Sequence, residues 1–428
     1  MPSSFSTLNA IACAVAFVLS VLPQVPAQVP APEPAPLPMH EVRTESLMAI
    51  DALMAEAMAD GTFPGAVVLV GDASEIRWAA AYGRYTDAPD APEVTLASIF
   101  DLASLSKVVG TLSAALVAWN DGALAPDDLV AQHITGFDQN GKAGVTIRDL
   151  MRHTSGLKAY ESKDAVEASR PADTLPCDAL IARYASLAPS YAPRTGFVYS
   201  CLNFQTLARI TEESTGQRMA DLLTARVFAP LGMIDATYEL NAGQLSRTLP
   251  TIRQSDGTPL VGRVHDPLAA YHGTSPHTPG NAGLFATGPD VARFCQAVLR
   301  EGRAEDGTQV FAPAILAEAL SAQQPEGVTE MHGLGWDIYE AEGYTTPLNA
   351  APGTYAVGHT GYTGTMIWID LRAQVFFVFL SNRTWPDDRA QTDGKIRISD
   401  ARRRLVGIVQ RSCPEYATLF AEPPSQQL

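Results

Sequence analysis

The strand-like segments of this chain lie near its two ends, and a long helical stretch separates them. "GAVVLVG" and "IRWAAAYG" read as a strand pair joined through "DASE". Some 250 residues later, "GLGWDIYE", "TGTMIWIDL" and "QVFFVFLSN" are again strand-like, and a short polar turn between the last two predicts a hairpin. Between these groups, from Gly122 to about Glu326, helical patterns such as "VTIRDLMRHTSG" and "CLNFQTLARITEESTG" alternate with Gly-, Pro- and Asn-rich loops. Further helices are expected over Glu41–Asp60, stopped by Gly61, and over Ile396–Gln410. The order predicts one α/β domain whose sheet is completed by the C-terminal part, with a mostly helical region (about 122–326) inserted.

The 428 residues are enough for one large or two modest domains, and 46% hydrophobic with 18% charged content suits a globular chain. A net charge of −16 argues against nucleic acid as a partner. At the N-terminus, "NAIACAVAFVLSVLP" has an apolar core too short for a comfortable membrane span, and "VPA" offers a small residue at a cleavage position. Residues 1–27 therefore read as an export signal, although no Lys or Arg precedes the apolar core and an uncleaved anchor is the alternative. Residues 28–38 read as a proline-rich tether, and residues 39–428 as the folded domain. The expected location is periplasmic or secreted. There the even number of remaining cysteines (Cys177, Cys201, Cys295 and Cys413) permits disulfides.

Three stretches carry candidate chemistry. In "DLASLSKVVG", Lys107 is the only charge in a run where Val108, Leu112, Ala115, Leu116 and Trp119 repeat at helical spacing. Ser104 lies three residues earlier on the same helical face. A buried neutral amine could take the serine proton; alternatively Ser104 caps the helix and Lys107 snorkels outward. Ser155 and Lys158 repeat the spacing, but the glycine between them predicts a loop. In "FVYSCLNF", Tyr199 precedes a helix and could relay protons, or it could be a core aromatic. In "GHTGYTGT", which leads into "MIWIDL", Gly361 and Gly364 would let a substrate backbone approach, and a strand edge could donate an N–H to an oxyanion. His265, Asp266, His272 and His277 have no spacing that suits a metal, and a hydrogen-bonded loop bordering the site is expected instead.

Taken together and in this order, Ser-x-x-Lys, a Tyr motif and a His-Thr-Gly strand resemble the serine β-lactamase and penicillin-binding-protein superfamily, most closely its class C branch. "LMRHTSGL", "FAPLGMIDATY", "GRVHDPLAA", "GNAGLFATGPDVARF" and "GLGWDIY" resemble segments of the same hydrolases. The resemblance implies an antiparallel sheet flanked by helices and a hydrolase working through an acyl-enzyme on an amide or ester, of DD-carboxypeptidase or esterase type. It implies Ser104 as nucleophile, Lys107 as its base and Tyr199 as a proton carrier. The backbone N–H groups of Ser104 and Tyr362 would form the oxyanion hole. Cys201, His359, Thr360 and Gly361 would contact a small-molecule or peptide substrate, with possible cell-wall association and no metal or cofactor. Cys201 stands where these enzymes usually carry an asparagine, and His359 where many carry a lysine. Both departures lean away from typical β-lactam turnover, and they admit a catalytically silent binder of peptide or cell-wall fragments as the alternative. His359 is expected to add a second ionisation to the pH profile. Cys201 is expected to be bonded to Cys177, pinning the backbone that carries Tyr199.

Overall fold

A computed structural model describes residues 45–339, 355–387 and 396–413. The expected export signal and proline-rich tether, and the first residues of the expected Glu41 helix, lie outside the described residues. Among the described helices none is long and apolar enough to cross a membrane.

Strands β1 (Gly65–Asp72) and β2 (Ile76–Gly83) form the expected N-terminal pair. β3 (Ile99–Asp101) and β4 (Phe285–Thr287) are short and pair only with each other. β5 (Asp337–Tyr339), β6 (Ala356–Thr360), β7 (Met366–Asp370) and β8 (Val375–Ser381) complete the main sheet in the order β2-β1-β8-β7-β6-β5, antiparallel throughout. β1 therefore lies beside β8, which joins the two ends of the chain at the centre of one sheet. The expected β7–β8 hairpin is present.

The central strands read as unbroken apolar runs because both faces of the sheet are covered. Val67, Leu69, Ile367, Ile369, Phe376, Val378 and Leu380 face the large core shared with the helical region. Val68, Val70, Met366, Trp368, Phe377 and Phe379 face a second core under the helices Glu45–Ala59 and Ile398–Arg411. Alternate residues thus serve opposite layers, as the two-residue strand period requires. Burying these side chains at about 1.5–3 kcal/mol each holds the three layers together.

Two departures from the sequence expectation bear on the site. The segment after Ser104 does continue as a buried helix, but Ser106–Leu112 is wound as π-helix before α-helical Ser113–Asn120 follows. Such widened turns often occur at functional sites. "GHTGYTGT" is not simply the entry to β7. His359 and Thr360 close a separate strand, β6, and residues 361–365 form the tight turn into β7.

Candidate active site

The Ser104 turn is built at the end of β3. Asp101 accepts the Ala103 N–H at 2.8 Å and, through its other oxygen, the His265 N–H at 2.7 Å. Ala103 has φ +48°, a left-handed conformation that costs a non-glycine residue free energy and is sustained only by its surroundings. The turn presents Ser104 half-buried at the start of the helix. Its N–H donates to no backbone carbonyl among the described residues.

Lys107, one turn along, is wholly buried. Its Nζ donates to Ser104 Oγ at 3.0 Å and to the Asn281 carbonyl at 2.8 Å. It also lies 4.9 Å from the centroid of the Tyr199 ring, within the range of a cation–π contact. The i, i+3 pair is thus a hydrogen-bonded pair; Ser104 does not act as a helix cap with Lys107 reaching to solvent. The other serines are committed elsewhere: Ser106 Oγ accepts the Leu284 N–H, and Ser155 Oγ donates to Asn203. Lys158, the second candidate lysine, pairs with Glu161.

Tyr199 is held from both flanks by one residue. The His153 carbonyl accepts the Val198 N–H, and His153 Nδ1 accepts the Ser200 N–H. The His153 ring packs 4.7 Å from Tyr199, and His359 packs against the same ring at 5.8 Å. Nothing local in "LMRHTSGL" marks His153, because its task is to hold a residue 46 positions away.

The third motif is tied directly to the first. Thr363 Oγ1 donates to the Asp101 carbonyl at 2.7 Å and Thr365 Oγ1 to the Leu102 carbonyl at 2.9 Å. A Cβ on Gly361 would fall 2.6 Å from the Leu102 oxygen. Gly361 is therefore glycine so that this turn can lie against the Ser104 turn. Gly364, at φ +106°, needs its freedom to close the same turn. Exposed Tyr362 stands at the turn's tip, stacked on His265 at 5.5 Å and covered by the Arg383 guanidinium at 4.6 Å.

His359 and Thr360 lie beside this turn, but His359 is buried, and burial presses its pKa down to about 4. Its Nδ1 lies 2.8 Å from the Thr360 carbonyl oxygen. The imidazole is neutral through the physiological range, so the second ionisation expected of it falls below that range.

The expected Cys177–Cys201 bridge is absent, and both are free thiols. Cys177 is buried near the start of the Pro176–Ser186 helix, whereas Cys201 opens the Cys201–Thr215 helix toward the site. Burial raises the Cys201 pKa, while Lys107 and hydrogen bonding to Asn281 act in the opposite sense. The thiol thus occupies the asparagine position as a weakly polar neighbour of the lysine. Asn281 links this centre outward: its side chain donates to Asp266 and accepts from Gln205, which in turn accepts the Tyr184 hydroxyl. Asp266 caps the Pro267–His272 helix, so the "VHDPLAAYHG" stretch, expected as a loop, is largely a short helix tied to Asn281 through Asp266.

The beta-lactamase family model matches residues 50–401. The chain belongs to the beta-lactamase family. It is 29% identical over 375 residues to a protein named "Putative D-alanyl-D-alanine carboxypeptidase" from Escherichia coli O157:H7, covering 79% of this chain and 82% of that one. It is 30% identical over 358 residues to Esterase EstB from Burkholderia gladioli, covering 77% and 86%. Among solved structures, a class C beta-lactamase superposes with a TM-score of 0.66 at 19% identity, covering 87% of this chain and 98% of that one. A penicillin-binding-protein homologue from Caulobacter crescentus gives 0.62 at 20%, covering 79% and 92%. The fold of this beta-lactamase-family chain is theirs, and the chain is a serine hydrolase.

Proposed function

We propose that this family member hydrolyses an acyl ester or amide through an acyl-enzyme on Ser104, with carboxylic esters as the favoured class. The observation that carries the reading is the 3.0 Å contact from wholly buried Lys107 to Ser104 Oγ. In its neutral form the amine takes the hydroxyl proton as Oγ attacks the acyl carbon. The Ser104 and Tyr362 N–H groups receive the oxyanion, and Tyr199 with Lys107 returns the proton to the leaving oxygen or nitrogen. Water then attacks the acyl-enzyme by the reverse route.

The preference for esters rests on His359. A substrate with a free carboxylate would meet a neutral imidazole there, and Cys201 supplies no amide. Neither loss matters to a neutral ester. The names of the relatives support both esters and D-alanyl peptides as classes to test. The export signal read at the N-terminus, together with the carboxypeptidase names, supports action outside the cytoplasm. The test is fluorophosphonate labelling, followed by turnover of p-nitrophenyl esters, D-Ala-D-Ala peptides and nitrocefin. Labelling lost in Ser104→Ala, but kept in Ser106→Ala and Ser155→Ala, is the expected result, with esters the fastest substrates. Undiminished labelling of Ser104→Ala would end the assignment, and a wild type that takes no label would favour a silent binder.

A further inference from the structure

The closing helix Ile398–Arg411 places a guanidinium directly beneath the Gly361–Thr365 turn. Arg402 is buried in a row of apolar neighbours, Ala401, Leu405, Val406 and Val409. Its Nη2 donates to the Gly361 carbonyl at 2.7 Å and to the Thr365 carbonyl at 2.8 Å. Among the described residues it has no carboxylate partner, and its Nε has no hydrogen-bond acceptor. Burial brings its pKa down to about 9, which leaves it a cation at neutral pH.

A buried cation without a counter-charge is expensive. Tying two carbonyls together does not need it, since the turn is already closed by Gly361 N–H to Thr365 O and Gly364 N–H to Gly361 O. The direction of the bond to Gly361 is the informative detail. Gly361 C=O and Tyr362 N–H are the two ends of one peptide group, and amide resonance couples them. A cation on the oxygen draws electron density through the group and makes the N–H a stronger donor. Negative charge arriving at the N–H makes the oxygen a stronger acceptor in return.

We infer that Arg402 is a positioning residue for the oxyanion hole, polarising the Gly361–Tyr362 peptide so that its N–H meets the developing oxyanion as a charge-assisted donor. The inference rests on the acyl-enzyme reading above. The second arginine of this turn bonds the next peptide: Arg383 Nε donates to the Tyr362 carbonyl at 2.6 Å, whose amide partner is the Thr363 N–H. Arg402 differs in bonding the Gly361–Tyr362 peptide itself, and in being buried where Arg383 is half-buried.

The test compares Arg402→Gln, which keeps a donor without charge, with Arg402→Lys, which keeps the charge. In the full chain, Arg402→Gln is expected to lower kcat for a p-nitrophenyl ester by about 30-fold with KM nearly unchanged. That is roughly a tenth of the effect of deleting a direct oxyanion donor. Arg402→Lys should recover most of the loss. The acyl carbonyl stretch of an isotope-labelled acyl-enzyme should move to higher wavenumber in Arg402→Gln, a change that a purely structural role would not produce. An unmoved band, or equal losses in the two variants, would overturn the inference while wild-type labelling still upheld the acyl-enzyme reading. A wild type that neither labels nor turns over esters would overturn both. Should neither variant fold, arginine-labelled wild type serves: phosphonylation of Ser104 should shift the resonances of a slowly exchanging buried guanidinium, and an unshifted one would overturn the inference.

Discussion

Lys107 and Lys142 are both wholly buried, one beside Ser104 and one in the helical region. Both lie over an aromatic ring, Tyr199 at 4.9 Å and Phe137 at 5.3 Å. They differ in what accepts their hydrogen bonds. Lys142 gives one N–H each to the carbonyls of Gln139, Ala185 and Leu187. Those three oxygens have no proton to return, so the ammonium is a fixed tie between two chain segments. Lys107 gives one bond to a carbonyl and another to a hydroxyl, with a thiol as its further neighbour. A hydroxyl can surrender its proton to the amine, and a carbonyl cannot. Burial alone therefore does not separate a candidate base from a structural tie; the chemistry of the lysine's partners does.

The largest expected effect tests this contrast directly. Lys107→Ala should lower turnover by about 10³-fold or more, the range for removing a general base, with modest loss of stability. Lys142→Met should do the opposite, leaving three carbonyls unsatisfied at a cost of roughly 2–4 kcal/mol while kcat stays within a few-fold of wild type. Urea unfolding and ester kinetics on the two variants would decide it. A Lys107→Ala enzyme with near-normal turnover would remove the distinction.

A second, smaller effect concerns the buried histidines. Burial depresses the pKa of His153, His272 and His359, to about 4 for the last two. The unfolded imidazoles titrate near 6.5. Below that pH the unfolded chain binds protons that the folded one refuses, so this contribution to stability is complete above about pH 6.5 and is lost as pH falls toward 4. Asp101 and Asp290, raised by burial, oppose it. His272→Asn should flatten the stability slope between pH 4.5 and 6 by roughly 1 kcal/mol per pH unit. Chemical denaturation across that range measures it, and an unchanged slope would mean that His272 is not buried neutral.

The smallest effect concerns the pH profile of activity. The proposed mechanism needs its base deprotonated, so turnover should fall at acidic pH. His359 is neutral across that limb, and His359→Gln should leave the midpoint above pH 5 within about 0.3 units of wild type. A shifted midpoint would assign the limb to the imidazole.

The parts of the molecule read correctly from the sequence share a property: their signal is local. β1, β2, β7 and β8 are dense apolar runs bounded by turns, and the Ser104–Lys107 pair depends only on helical spacing. β6 was hidden because its exit carries Gly358, His359 and Thr360 in place of branched apolar residues. The three-residue strands β3 and β4 are too short to show a period. The disulfide failed because sequence separation says nothing about facing: Cys177 turns into the core and Cys201 toward Lys107.

The sequence by itself determined the layered α/β plan and a serine with a lysine one turn away. It did so because hydrophobic period and short-range spacing fix which side chains share a face. Only the tertiary structure decided the rest. Lys107 finds the Asn281 carbonyl 174 residues on, Thr363 finds the Asp101 carbonyl 262 residues back, and Arg402 reaches Gly361 from the last described helix. Most of these partners are backbone carbonyls, which every residue carries. No residue type announces them, and only the packing of distant segments selects which ones meet.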